Sequence, residues 1–211
     1  SKQPVRIVQN GLPGLAFGST LGNSGAYLSG SVPSSVNGNV GYTMVIAAKT
    51  SGTNSDRFFH FGASSGAAGQ VIGLGVNGGF YFNGGGEQTF SGVNFGGNVQ
   101  VGVFRRKAGS TYADSEFIFN GANQIGTAIS GTSTPSIPST GRDMLIGAGR
   151  NSSGAISSQL ANAVIHEVML FEGDLNDFAV RRLEGYLAYK WGSNARLNNG
   201  HPFGSSRPQF G

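Results

Sequence analysis

The chain of 211 residues contains no cysteine. Disulfide staples and thiolate metal sites are therefore excluded, and an extracellular life would have to rest on packing alone. Charge is sparse too. Only 11% of residues are Asp, Glu, Lys or Arg, so solubility has to come from Ser, Thr, Asn and backbone groups. No apolar run approaches the roughly 18 residues that a membrane-spanning helix needs, and no segment reads as a signal peptide. The start at Ser1 is accordingly expected to be a cut within a longer protein. What is abundant is glycine, at 37 residues. With so much glycine between short apolar runs, the strands must be short and turn-rich, and a chain this long can bury a real core.

The net charge of +4 comes from 14 basic residues against 10 acidic ones, and its distribution decides its meaning. Arg105, Arg106 and Lys107 form one run; Arg181, Arg182, Lys190, Arg196 and Arg207 make the C-terminal quarter basic. A nucleic-acid surface would concentrate more positive charge and interleave aromatics, so no nucleic-acid partner is expected. The reading adopted is a solvated strand end and the outer face of a terminal helix. A functional alternative is attraction to an anionic polysaccharide or an acidic neighbouring subunit.

Strand candidates recur at short intervals: Leu15 to Gly18, Ala26 to Ser29, Tyr42 to Lys49, Arg57 to Ala63, Gln70 to Val76, Gly79 to Asn83, Val99 to Lys107, Ser115 to Asn120, Ile125 to Ile129, Asp143 to Gly149 and Ala161 to Phe171. About eleven strands of this kind predict an all-β fold, a two-sheet antiparallel jelly-roll sandwich forming one domain over residues 1–211. Asn77, Gly78 and Gly79 signal a hairpin, because a primed turn needs positive φ. Ser130 to Thr140 carries two prolines and reads as the longest loop.

One window departs from the strand rhythm. From Ala163, period-two alternation sets Val164, His166, Val168 and Leu170 on one face and Ile165, Glu167, Met169 and Phe171 on the other. Glu172, Gly173 and Asp174 break that period. Asn176 then stands as an N-cap with Asp177 in the first turn, and Val180, Leu183, Leu187 and Trp191 form an apolar stripe at helical spacing. The expectation is one C-terminal helix over about 175–191, ended by Gly192, with a tail over 192–211.

This strand, turn and helix, closing on EGYLAYKWG and followed by Leu197 and His201-Pro202-Phe203, resembles the terminal signature of concanavalin A-like lectin/glucanase domains of the laminin-G-like group. It looks in particular like the versions found in phage virion proteins and bacterial surface proteins. Pro13 to Gly30 is similar to the opening hairpin of these domains, and Tyr42 to Lys49 resembles the core strand that follows. Ser19 and Asn23 stand where members often carry Asp, a departure from the pattern that would hold calcium there. The resemblance implies a glycan-recognition or adhesion domain at a virion surface or in the extracellular space. Its partners would be a cell-surface polysaccharide and other virion subunits. A cysteine-free chain suits a protein made in a reducing cytoplasm and released later.

Catalytic chemistry finds little to stand on. Glycosidases hold two carboxylates about 5 to 9.5 Å apart, and the Glu-x-Asp-x-x-Glu strand of the sandwich glucanases does not occur. Asp114 and Glu116 share a face if their strand extends back that far; the competing reading is an edge strand opening with like charges. His166 and Glu167, as strand neighbours, are expected on opposite faces and so not to converge, with Glu167 a buried acid satisfied by an Arg or by backbone donors. His60, among Phe58, Phe59 and Phe61, reads as packing, and His201-Pro202 as a latch over the sandwich. Three histidines without matched spacing give no metal site, and neither a Gly-x-Ser-x-Gly elbow nor a phosphate loop is present, so no cofactor is expected.

What remains is binding. Sites for neutral sugars combine a ring that stacks on the pyranose with amides and carboxylates that take its hydroxyls. Phe80, Tyr81, Phe82 and Asn83, followed by three glycines and Glu87, supply both; Tyr81 and Asn83 share one strand face and are expected outward. The competing reading is an edge hairpin with an incidental tyrosine. Tyr112, Asp114, Arg150 and Asn151 occupy neighbouring loop-like positions, from which Tyr112 and Arg150 join the candidate ligand set. Three functions stay open: a non-catalytic glycan-recognition domain of a phage tail fibre, head fibre or capsid decoration protein, a purely structural virion or cell-surface module, and a glycan-cleaving enzyme. One weak sugar site would need several copies, so a homo-oligomer, a trimer for example, is expected.

Overall fold

The computed structural model of the protein describes residues 3–9, 11–18, 25–36, 38–50, 57–62, 71–75, 80–82, 86–90, 93, 95–110, 114–124, 126–130, 143–149, 156 and 162–209. Within residues 61–62, 71–75, 80–82, 86–90 and 126–130, and at Gln9 and Asp143, the description is of the backbone. The strands are β1 (Val5–Gln9), β2 (Leu12–Ala16), β3 (Leu28–Ser31), β4 (Tyr42–Thr50), β5 (Arg57–Gly62), β6 (Val71–Gly75), β7 (Phe80–Phe82), β8 (Gly86–Phe90), β9 (Gln100–Arg106), β10 (Glu116–Phe119), β11 (Ala122–Gln124), β12 (Gly126–Ser130), β13 (Asp143–Ile146) and β14 (Ala163–Glu172). One α-helix, α1 (Asp177–Lys190), follows.

The strands form two seven-stranded antiparallel sheets. The first runs β1-β2-β14-β4-β9-β10-β11 and the second β12-β8-β7-β6-β5-β13-β3. Phe17, Met44, Ile46, Phe58, Phe59, Phe95, Phe104 and Phe117 fill the space between them. The opposite face of the first sheet, with Val45, Ala47, Val101 and Val103, is covered by Val180, Leu187, Ala188 and Trp191 of the helix end. Strand β4 is thus buried on both faces, which is why its sequence runs almost continuously apolar.

Two short hairpins complete the first sheet. Gln9 of β1 pairs with Leu12 of β2, and Gly11 before β2 sits at φ +76°. Phe119 pairs with Ala122 across Asn120 at φ +49° and Gly121 at φ +83°, the two positive angles a primed turn requires. The expected hairpin over Pro13 to Gly30 is corrected: β2 lies in the first sheet, paired with β1 and β14, while β3 pairs with β13 in the second. On its N-terminal side β2 already has β1 as its partner. β6 and β7 do pair, Leu74 with Phe80, although the Asn77-Gly78-Gly79 turn lies outside the described residues. So do Ser19, Asn23 and residues 131–142 of the proline-bearing loop.

The helix follows its sequence signals. The Asn176 side chain accepts from Ala179 N–H at 2.9 Å, Val180, Leu187 and Trp191 are buried, and Gly192 takes φ +69° just past the end. The tail then folds back against both this helix and the β10–β11 turn of the first sheet, where Asn198 N–H donates to the Asn120 carbonyl at 2.8 Å. The buried His201 ring lies 3.5 Å from the fully buried Glu184 carboxylate, whose other oxygen accepts from Gly121 N–H at 2.8 Å. A Cβ on Gly185 would lie 2.7 Å from Phe203, so the glycine admits the tail.

Strand β14 corrects the expected alternation. Ala163 and Ile165 face the inter-sheet core, and so do Val168 and Leu170, while Met169 and Phe171 face the helix. The phase flips because Ile165 pairs with Ala48 and Glu167 with Ala47, which leaves His166 as an extra, bulged residue.

Candidate functional site

The sequence-derived candidates fall on the second sheet. Tyr81 of β7 stands directly opposite Glu87 of β8 and, on its other side, opposite Gly73 of β6. Gly73 in turn opposes His60, and His60 opposes Leu145. Directly opposed residues share a face, so these positions make one transverse row. The neighbouring row contains Phe59 and Ile146, which pack into the inter-sheet core. The Tyr81 row therefore belongs to the face turned away from the first sheet. Its His60 and Leu145 end is covered, both residues being 0% exposed. The β5 bulge sends both Phe58 and Phe59 into the core and leaves the buried Arg57 beside His60's face. Tyr81 and Glu87 are thus brought together in the ladder, whereas Asn83, Tyr112, Arg150 and Asn151 lie outside the described residues.

A second constellation, missed by the sequence reading, lies where β9 and β10 meet the helix start. Arg105 pairs with Glu116, bonds Asp177 Oδ1 at 2.6 Å and donates to the Leu175 carbonyl at 2.8 Å. Burial works against the Arg105 charge, but the bonds from Glu116 and Asp177 outweigh it and hold the pKa above its usual value. The same contact holds the Asp177 carboxyl below the usual range. An open cleft of about 640 Å³ lies here, lined also by Lys107, Asp174 and Asn176, with Phe178 at its edge. Phe178 is 66% exposed, and the Arg182 guanidinium sits 5.6 Å from its ring centroid. No local spacing links Arg105, Glu116 and Asp177; only the strand register and the helix placement do.

This geometry overturns two expectations. Glu116 opens β10 while Asp114 lies before the strand, so the two do not form a carboxylate pair, and Glu116 is held by Arg105. The 105–107 run is not a solvated strand end: Arg105 is largely buried and Arg106 fully so, bonded to Asn39 Oδ1 and to the Val40 carbonyl at 3.4 Å, over the Tyr42 ring. Arg106 is buried because β9 is enclosed between the two cores.

The bulge in β14 overturns a third. His166 and Glu167 both turn toward the helix: the imidazole packs on Trp191 at 4.4 Å between centroids, and Glu167 Oε2 accepts from Trp191 Nε1 at 3.0 Å and Lys190 Nζ at 2.8 Å. The partners of Glu167 are thus a lysine and an indole rather than an arginine. Burial, reinforced by Lys49, pushes the His166 pKa down to about 4, with the Pro13 carbonyl pulling weakly the other way. Burial also opposes the Lys190 charge, but Glu167 and Tyr186 hold its pKa above the usual value. Arg181 completes the set, reaching Glu184 at 3.2 Å and the Gly121 carbonyl. Glu116, Glu167, Asp177 and Glu184 are therefore all engaged in ion pairs, and among the described residues no group of three His, Asp or Glu side chains is arranged to hold a metal ion.

No protein-family model matches the chain, and no curated protein sequence matches it. Solved structures do. Domain 4 of AbnA, a GH43 extracellular arabinanase from Geobacillus stearothermophilus, solved in complex with arabinotriose, is 17% identical over 83% of this chain and 78% of that one, with a TM-score of 0.54. The Ruminococcus gnavus IT-sialidase CBM40, bound to α2,3-sialyllactose, is 15% identical over 84% and 94%, with a TM-score of 0.51. NanB sialidase from Streptococcus pneumoniae matches at 18% identity and a TM-score of 0.47, and the chain spans 26% of its length. The fold is a lectin-like β-sandwich, two antiparallel sheets with one C-terminal helix.

Proposed function

We propose that the protein is a non-catalytic glycan-recognition domain whose sugar site lies on the outer face of the second sheet, centred on Tyr81 and Glu87. The observation that carries this reading is their register: a ring-bearing and a carboxylate-bearing residue stand directly opposite each other on the face turned away from the core. Asn83, two residues beyond Tyr81, adds an amide, and Tyr112 and Arg150 complete the proposed set. The comparison domains that carry arabinotriose and sialyllactose support the ligand class. The engagement of Glu116, Glu167, Asp177 and Glu184 in ion pairs speaks for binding without turnover.

The setting we propose is a virion surface, on a phage tail fibre, head fibre or capsid decoration protein, or an extracellular surface. The closing signature from Ala163 to Phe203 supports it, as does a chain without cysteine. A single ring with a few hydrogen bonds gives affinity near the millimolar end, about −4 kcal/mol, so function requires a homo-oligomer that multiplies the site. A glycan array probed with the multimerised domain tests this. Binding of a defined glycan, lost in the Tyr81→Ala, Glu87→Ala double variant and without release of reducing sugar, is the expected result. Binding lost instead in Phe178→Ala would move the site to the cleft at the helix start. Binding to no glycan would leave a structural virion or cell-surface module, and reducing ends would make the protein an enzyme.

A further inference from the structure

The first sheet ends differently at its two edges. At one, β11 is only three residues long, and the turn that leads into it is held by the tail through the bond from Asn198 N–H to the Asn120 carbonyl. At the other, β1 is five residues long and pairs with β2 alone. Every second residue of β1 turns its N–H and C=O away from the sheet, so this edge is a template for another strand. Arg6 of β1 and Leu28 of β3 line one cavity, which places the free edges of both sheets on the same side of the sandwich. All four residues of β3 are exposed. Among the described residues four large apolar side chains are exposed, and three of them, Val5 at 41%, Val8 at 66% and Leu28 at 36%, lie on this side. An apolar side with unpaired backbone is an interaction surface.

The charge pattern of β1 selects a second copy of the same strand as its partner. A two-fold axis perpendicular to the sheet joins two β1 strands antiparallel, with residues of the same face opposed, and so allows few registers. Arg6 lies on the inter-sheet face, since it opposes Leu15. An axis at Arg6 would set two guanidinium groups directly opposite each other, which is destabilising. An axis at Val5, Val8 or Gln9 would pair three residues of β1 or fewer. At Ile7 it pairs all five: Val5 opposes Gln9 of the second copy, Arg6 opposes Val8, and Ile7 opposes its own equivalent. No like charges then meet, and the Arg6 methylenes can cover Val8.

We propose that the protein forms a two-fold dimer in which β1 pairs antiparallel with β1 of a second copy about Ile7, joining the two first sheets into one. The inference rests on the homo-oligomer required above and supplies its interface. A perpendicular two-fold leaves both copies facing the same way, so the two Tyr81 and Glu87 rows look to one side, as retention on a single polysaccharide surface needs. Sedimentation of the full chain, with thiol cross-linking of single-cysteine variants, tests it. A dimer with a dissociation constant of about 10 µM or below is expected. Opposed Cα atoms of an antiparallel pair lie about 4.5 or 5.5 Å apart, both within disulfide reach, so Ile7→Cys should give a disulfide-linked dimer under mild oxidation. The chain has no cysteine of its own to compete. Val5→Cys would lie about 13 Å along the pair from its equivalent and should not cross-link. Val8→Lys, at a position already 66% exposed, sets a cation opposite Arg6 twice over. It should weaken the dimer about ten-fold with the melting temperature of the monomer unchanged. A dimer indifferent to Val8→Lys, one that cross-links through Val5→Cys as readily as through Ile7→Cys, or a trimer would overturn this interface and leave the homo-oligomer standing. A chain still monomeric at about 1 mM would overturn both.

Discussion

The two sheets share one core but differ in what lies outside them. The first is closed by the helix, and its polar side chains are drawn into that closure: Arg105 to Glu116 and Asp177, Glu167 to Lys190 and Trp191, Glu184 to Gly121 and Arg181. The second carries no helix on its outer face among the described residues, and its row through Tyr81 and Glu87 is built from opposed strand positions alone. Rings beside carboxylates thus serve closure on the first sheet, whereas on the second the opposed Tyr81 and Glu87 positions are the ones we propose for recognition. What separates the two sheets is the helix layer, since a carboxylate buried under a helix must find a partner.

The comparison breaks most sharply at Trp191. If the helix closes the first sheet, Trp191→Ala removes a buried ring and the donor to Glu167, and should cost about 3–5 kcal/mol in chemical denaturation. A loss below about 1 kcal/mol would make the helix peripheral. Next in size is the response to acid. The folded pKa of His166, about 4, lies below its unfolded value near 6.5, so its contribution is complete above pH 6.5 and is lost as pH falls toward 4. Its upper bound is about 3 kcal/mol, and His166→Leu should flatten that part of the stability–pH curve; an unchanged slope would show that the bulge does not hold the ring in a dry site.

A smaller effect belongs to the helix cap. Asn176→Ala should cost about 1 kcal/mol, because only the single bond to Ala179 N–H is lost. Thermal melts would register it as a modest drop, and a loss as large as that of Trp191→Ala would mean that Asn176 supports more than the cap. Smallest of all in stability, and largest in function, is Tyr81→Ala: less than about 1 kcal/mol is expected, with glycan retention by the multimerised domain abolished.

Sequence patterns announced the helix in full, from the Asn176 cap to the buried Leu187 and Trp191, because caps and the helical stripe are local signals. They also announced the two-sheet class and the core strand at Tyr42 to Lys49, though not its burial on both faces. They did not announce the crossing between β2 and β3, since nothing local says which sheet a short strand joins. The Asn10-Gly11 and Asn120-Gly121 pairs were readable and would have located β1 and β11. The bulge was not: one extra residue at His166 reverses the side every later residue of β14 faces, and no composition marks it. In the candidate site the strand Gly86–Phe90 that sets Glu87 opposite Tyr81 was not among the strand candidates, because its glycine-led, polar sequence lacks apolar alternation, and the ion pairs of Arg105 depend on elements far apart in the chain.

The division between a closed side and a recognition side is tested most directly by backbone amide chemical-shift mapping with a glycan that the array identifies. The account predicts shifts confined to β6, β7 and β8 around Gly73, Tyr81 and Glu87, with the amides of α1 and β14 unmoved. Shifts clustered instead on α1 around Phe178 and Asp177, with β7 silent, would contradict it.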